Sequence, residues 1–313
     1  MTMGKLQTKC KEFGQELYRK RILWLMILPT IIFFIIFAYI PMPGAYVAFV
    51  DYHIGKGIFG SNFVGLKNFE FLAKTGELWR ITKNTFLYNV AFIVIGNVVQ
   101  VILAIMISEI KNKWFKKVSQ SVILLPYFIS MVIVGYFAYN MFNYNSGFIN
   151  SALTSLGLAK HDFYSDTRIW KYVIVAFKVW SGTGYGMIVY LATITGFSED
   201  IYEAAALDGA SAFKKIRYIT LPMLKPTVIT LVMLNVGRIM YSDFGLFYQV
   251  PMDSGALYSV TNTIDTYVYR CLMTLNNIST SSAACTYQAI VGFILVLVVN
   301  TIVRRKDKEN ALF

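Results

Sequence analysis

The sequence predicts an all-α polytopic membrane protein with six transmembrane helices, and three observations carry that expectation. Of 313 residues, 56% are hydrophobic and only 15% charged, whereas soluble domains run at about 45–50% apolar and about 25% charged. Six apolar stretches, at 22–40, 85–107, 119–141, 170–195, 227–245 and 283–303, approach or reach the roughly 20 residues needed to cross a bilayer. Apart from Lys178 and Arg238 within them, the Lys and Arg residues are divided unevenly, 18 on one side and nine, on longer loops, on the other. The positive-inside rule therefore predicts that both termini are cytoplasmic.

The elements follow in order. A basic tail, 1–21, carries Lys5, Lys9, Lys11, Arg19, Lys20 and Arg21. The first span lacks a small-residue cleavage site and ends in Tyr39-Ile40-Pro41, so it reads as a retained helix and not a signal peptide. Residues 41–83, with proline, glycine and aromatics, read as a compact external cap. Spans two and three flank Lys111, Lys113, Lys116 and Lys117. Residues 142–169 form an external loop rich in Asn, Ser and Gly. Span four contains Trp180-Ser181-Gly182-Thr183-Gly184-Tyr185-Gly186, where Gly182 and Gly186 give the G-x-x-x-G spacing that lets helices approach closely. A polar loop, 198–222, leads to span five. The third external loop, 245–282, is long enough to hold a short helix or to dip back toward the membrane. Span six and a tail, 304–313, close the chain. Cys10 is internal, and unpaired packing is favoured for Cys271 and Cys285 over a bridge between them.

Loop 198–222 is the most informative segment. Ser198 is placed to cap a helix whose first turn carries Glu199 and Asp200, where the helix dipole favours negative charge. Ala204 to Ala206 give that helix a flat face that another backbone can approach. Asp208-Gly209 turns the chain, since glycine accepts positive φ without strain. Ser211 is placed to cap a second helix bearing Lys214, Lys215 and Arg217, which Leu221-Pro222 is expected to end.

This spacing, Glu203-Ala204-Ala205, then Gly209, then Ile219-x-Leu221-Pro222, resembles the coupling loop of permease subunits of binding-protein-dependent ABC importers, with all seven defined positions filled. The stretches LPTIIFFIIFAYIPMPGAYVAF, FVGLKNFEFL, NTFLYNVAF, LLPYFISMVIVG, WSGTGYGMIVYLATI, DFGLFYQV and IDTYVYR resemble the oligosaccharide and polysaccharide, or maltose-permease-like, branch over nearly the whole chain. The resemblance implies a type I importer permease fold in a bacterial cell membrane, and an ATPase-coupling role for Glu203, Ala204, Ala205, Asp208, Gly209, Ile219, Leu221 and Pro222. It also implies partners: a second homologous permease, two ATPase subunits and an extracellular solute-binding protein.

No phosphate-cradling G-x-x-x-x-G-K-[ST] occurs; Gly55-Lys56-Gly57 has the wrong spacing. The chain is therefore expected to hold no cofactor and no catalytic residue, with ATP and Mg bound by partner subunits. His53 and His161 are far apart and no C-x-x-C exists, so no metal centre is expected. The net charge of +12 is largely topology signal beside an anionic leaflet and needs no nucleic acid.

Inside the spans, a basic side chain costs about 2.5–3.5 kcal/mol at mid-bilayer, so Lys178 and Arg238 must avoid lipid. Asn235, Arg238 and Ser242 fall at i, i+3 and i+7, one face of a helix, with Tyr241 and Asp243 beside them. They are candidates for the wall of a translocation path, or for a buried pair, Arg238 with Asp243 or with an acid on a partner permease. Lys178 is expected to snorkel to the outer interface. Asn97 and Gln100, at i and i+3 on span two, share a face and either join that wall or bridge helices, as does Asn89. The 21 tyrosines and 24 phenylalanines are largely accounted for by interfacial belts.

The expected function is thus the permease subunit of an ATP-driven carbohydrate importer. The same machinery serving an anionic solute, such as a glycerophosphate, stays open. A stand-alone secondary transporter fits less well, because it leaves loop 198–222 without a purpose and the spans offer no acidic proton relay.

Overall fold

The computed structural model describes residues 19–306; the rest of the two basic tails, with Cys10, lies outside the described residues. Among the described residues five helices are long and apolar enough to cross a membrane, six when a bent pair is counted as one span. Helix α1, Arg21–Phe34, continues through a π turn, Ile35–Tyr39, into a 3-10 run, Met42–Phe49. None of the residues of α1 is buried within the chain, so its apolar surface is left for lipid or another subunit. A two-stranded antiparallel ribbon then pairs β1, Val50–Asp51, with β2, Asn62–Phe63, Val50 opposite Phe63. Helix α2, Lys67–Lys74, follows.

Two helices form the centre: α3, Glu77–Ser108, and α7, Thr167–Thr195, which pack along each other. At 32 residues, α3 is about 48 Å long. It therefore extends well beyond the hydrocarbon and begins eight residues before the expected span. Asp166 starts α7 by accepting the Arg168 N–H at 2.9 Å. Aromatic and aliphatic side chains fill one end of this pair, with Trp170, Phe247 and Leu246 almost wholly enclosed. Tyr190, Met187 and Leu224 do so at the other.

The third span is a correction. It was expected as one helix over 119–141, but α4, Lys113–Leu124, passes into a 3-10 turn, Leu125–Phe128, and α5, Met131–Phe142, leaves at 95°. Pro126 removes a ladder donor and fixes its own φ, and Ser130 Oγ accepts the Ile133 N–H to start a new helix. A short helix, α6, Phe148–Ser155, lies between α5 and α7.

The fifth span differs more. Helix α8, Glu199–Leu207, is followed by α9, Ala212–Lys215, a π turn, Ile216–Thr220, and α10, Leu221–Val236. Residues 212–236 make one continuous rod. Leu221-Pro222 does not end a helix there: the π turn carries the chain to Leu221, and proline is tolerated in the first turn of α10. The rod stops at Val236, short of the expected 245. Residues 237–243 are unwound before α11, Phe244–Gln249. Helix α12, Ile264–Met273, and the last span, α13, Ile278–Lys306, complete the chain. Cys271 and Cys285 are free.

The glycines of span four act differently from the expected G-x-x-x-G pair. A methyl group on Gly182 would meet nothing, whereas one on Gly184 would collide with backbone atoms of Ile123 and Leu124, and one on Gly186 with the Gln100 amide. Gly184 is therefore where α7 touches the end of α4. Gly184→Ala is expected to cost about 1–3 kcal/mol, the range for overpacking, and Gly182→Ala to change little; thermal unfolding in detergent compares the two.

Candidate translocation cavity and coupling loop

Between α3, the 3-10 bend of span three, α7 and α10 lies a cavity of about 660 Å³. Asn97, Gln100, Asn235, Arg238, Tyr241, Ser242 and Asp243 all line it, with Asn89 and Lys178. The reason differs from the expected helical stripe. Arg238 to Asp243 belong to the unwound segment, so they reach the cavity from a turn and not from one helix face.

That segment is held by side chains from four helices. Gln288 Nε2, on α13, donates to Met240 O at 2.7 Å. Asp265, on α12, accepts the Ser242 N–H and lies 2.7 Å from the Ser242 hydroxyl. Asn89 Nδ2, on α3, donates to Ile239 O and Tyr241 O at 3.0 and 3.1 Å. From α7, Lys178 Nζ meets Asp243 Oδ2 at 2.7 Å, while Asp243 Oδ1 accepts the Leu246 N–H to start α11.

Lys178 therefore does not snorkel away: a half-buried carboxylate lies within reach and neutralises it. Because Asp243 is occupied, Arg238 is not its partner. Arg238 is exposed to the cavity, and no acidic side chain among the described residues pairs with it. Asn97 bridges helices, accepting from Tyr190 Oη at 2.6 Å and donating to Ile93 O. Asn235 donates to Leu231 O of its own helix. Gln100 packs where Gly186 leaves room.

Two residues escaped the sequence reading. Tyr127, at the bend of span three, and Tyr185, on α7, stack at 5.1 Å and 16° on the cavity wall, both exposed. Counting aromatics could not find them. The available signals were the Pro126 beside Tyr127 and the glycines on either side of Tyr185, which let α7 pack against the end of α4 and against Gln100.

The polar loop is a helix, turn and helix. Ser198 stands at the start of α8, but its hydroxyl bonds the Asp200 carboxylate at 3.2 Å instead of capping the helix. At the other end Ala210 N–H reaches Ala205 O and Gly209 N–H reaches Ala206 O, the paired closure that needs a left-handed residue; Gly209 has φ 75°. Ser211 accepts the Lys214 N–H at 3.4 Å. Glu203, Ala204 and Asp208 are exposed, as are Leu221 and Pro222, while Ala205 and Ile219 are half-buried. The loop also bares Leu207 and Phe213, 90% and 71% exposed.

Membrane-length helices, one span of them bent, surround a cavity that carries polar groups and bear an exposed helical loop, an arrangement that fits a permease. Residues 100–307 match the family of binding-protein-dependent transport system inner membrane components, and the chain belongs to that family. It is 32% identical over 302 residues to the polygalacturonan/rhamnogalacturonan transport system permease protein YteP of Bacillus subtilis (strain 168), covering 96% of this chain and 94% of that protein. It is also 32% identical to Protein LplB of the same organism, over 94% of this chain and 92% of that one. A crystal structure of a bacterial alginate ABC transporter, in complex with an alginate pentasaccharide-bound periplasmic protein, contains a chain of similar fold. Its TM-score is 0.84 at 30% identity, over 94% of this chain and 98% of that chain. The protein is thus a multi-pass cell-membrane permease subunit of an ABC transporter and not an enzyme.

The ion pair gives a direct check. Lys178→Met or Asp243→Asn alone leaves one charge unpaired in a half-buried site and is expected to cost about 1–3 kcal/mol. The double variant is expected to recover most of that loss, as a thermal unfolding cycle in detergent would read.

Proposed function

We propose that the chain is one half of the translocation path of an ATP-driven oligosaccharide importer. It pairs with a second homologous permease and an extracellular solute-binding protein, and two ATPase subunits that bind ATP and Mg dock on loop 198–222, both termini lying on their side. The observation that carries the substrate class is the Tyr127–Tyr185 platform on a cavity whose wall mixes apolar side chains such as Phe92, Leu231 and Leu234 with amides, hydroxyls and charges. Sugar rings present an apolar C–H face and a polar edge, and a stacked aromatic pair with a polar rim matches both. The relatives named for polygalacturonan/rhamnogalacturonan and for alginate support this reading.

Reconstituted with its partners in proteoliposomes, the chain is expected to support ATP-dependent oligosaccharide uptake, and alone to support none. Tyr127→Ala or Tyr185→Ala should lower uptake about tenfold, equivalent to about 1.4 kcal/mol of lost ring stacking. Unchanged uptake by both variants would remove the platform from the path. Gly209→Asp forces a side chain into left-handed backbone at the turn. It should abolish uptake and the stimulation of ATP hydrolysis while insertion into the membrane is retained.

A second reading, narrower in substrate, rests on Arg238. With Lys178 neutralised by Asp243, Arg238 is the uncompensated charge of the cavity wall, which favours an acidic glycan; one related transporter imports what its structure calls the acidic polysaccharide alginate. Arg238→Gln is then expected to lower uptake of trigalacturonate about tenfold, as loss of a charge-assisted hydrogen bond would, and leave maltotriose uptake unchanged. Equal loss of both would assign Arg238 to the protein's own architecture.

A further inference from the structure

Helix α8 is held to the rest of the chain by very little. None of its residues is buried, and residues 199–215 form no ion pair with other elements among the described residues. One side-chain hydrogen bond leaves this segment for the membrane domain: Tyr202 Oη lies 3.0 Å from Thr220 Oγ1. Tyr202 is half-buried and Thr220 is 3% exposed. The bond therefore joins the outer helix of the loop to an enclosed position at the foot of span five.

Thr220 occupies the weakest part of that span. It closes the π turn Ile216–Thr220, in which Leu221 N–H reaches back five residues to Ile216 O. Pro222 and Pro226 follow, and each lacks the N–H that would make the next rung. A π turn with missing rungs beside it is a compliant section of helix. A push on α8 that travels only along the backbone, through Gly209 and α9, enters the rod below this section and can be spent in bending it. A push that travels through Tyr202 enters at Thr220, at the upper end of the π turn, and so bypasses that turn, with the rung missing at Pro226 left between it and the rest of the rod.

Resting on the coupling role proposed above, we infer that Tyr202 and Thr220 form the latch through which displacement of the docking helix is passed to span five. Both are positioning residues: they touch neither nucleotide nor solute, and act by keeping α8 and the foot of α10 moving as one body. Loss of the latch leaves docking intact and separates nucleotide-driven closure of the ATPases from reshaping of the cavity.

The test uses the assembled importer, with Cys10, Cys271 and Cys285 replaced by serine and a reporter Tyr241→Cys in the cavity. Labelling of the reporter by a membrane-impermeant maleimide is compared with and without ATP and vanadate, and trapped nucleotide is counted in the same sample. With Tyr202 and Thr220 present, trapping is expected to change the labelling rate at least about fivefold. In Tyr202→Phe the trapped nucleotide and the co-purified ATPases are expected to stay the same, while the labelling change shrinks by about fivefold, the equilibrium factor of one hydrogen bond of about 1 kcal/mol. Thr220→Val should match it, Thr220→Ser should restore the response, and the double variant Tyr202→Phe/Thr220→Val should be no worse than either single one. A full labelling change in Tyr202→Phe, or losses that multiply in the double variant, would overturn the latch. No labelling change even with both residues present would overturn the coupling role and the latch together.

Discussion

The requirement that every main-chain polar group find a partner where water is scarce governs this molecule. An α-helix meets it within itself; an unwound segment at membrane depth must borrow partners from neighbours. Residues 237–243 do so from three helices at once, through Gln288, Asp265 and Asn89, while Lys178 of a fourth holds the Asp243 side chain. Each donor or acceptor comes from a different part of the chain, so the break exists only when α3, α7, α12 and α13 are assembled. The cavity is then a consequence of the same bonds: the segment that satisfies its backbone outward turns Arg238, Tyr241 and Asp243 toward the space between α3 and α7.

The electrostatics follow from that arrangement. Asp243 is placed by its helix-capping bond to Leu246 N–H, and once there it meets Lys178, whose stem on α7 reaches the same level. Neutralising the pair locally lets two charges sit in a half-buried wall without the penalty of an isolated ion. It also leaves the character of the wall to Arg238 and to neutral groups. A wall of this kind resembles a sugar site more than an ion pore, because rings and amides outnumber free charges.

Much of this was legible in residue order, and the division has a physical cause. In loop 198–222 the turn at Gly209 and the cap at Ser211 could be read, since both act on backbone groups within a few positions of themselves, whereas the expected cap at Ser198 and stop at Leu221-Pro222 did not form. The seven candidate residues line one cavity, yet for Arg238, Tyr241, Ser242 and Asp243 the reason differs from the expected one: a helical stripe was inferred where the helix had ended. What stops α10 at Val236 is the offer of partners by Asp265 and Gln288, 23 and 48 residues beyond their targets, and no local pattern announces it. The Lys178–Asp243 pair, 65 residues apart, was hidden in the same way. The bend of span three was different. Pro126 and Ser130 are local signals for it, but an average of hydropathy over a span-length window erases them.

Loop and cavity are joined by a single element. The rod 212–236 has 25 residues, about 37 Å, with loop 198–222 at its foot and Asn235 at its head, one step from the break. A rigid helix transmits displacement without absorbing it, while a turn held by several replaceable bonds can exchange one set for another. The rod's two ends are of the second kind: a π turn flanked by prolines below, an unwound segment above. On the proposed function, motion of the docking helix reaches the cavity because the straight middle of α10 lies between two sections able to change shape. The bonds around residues 237–243 are then what sets how far Arg238 and Tyr241 move when the rod is displaced.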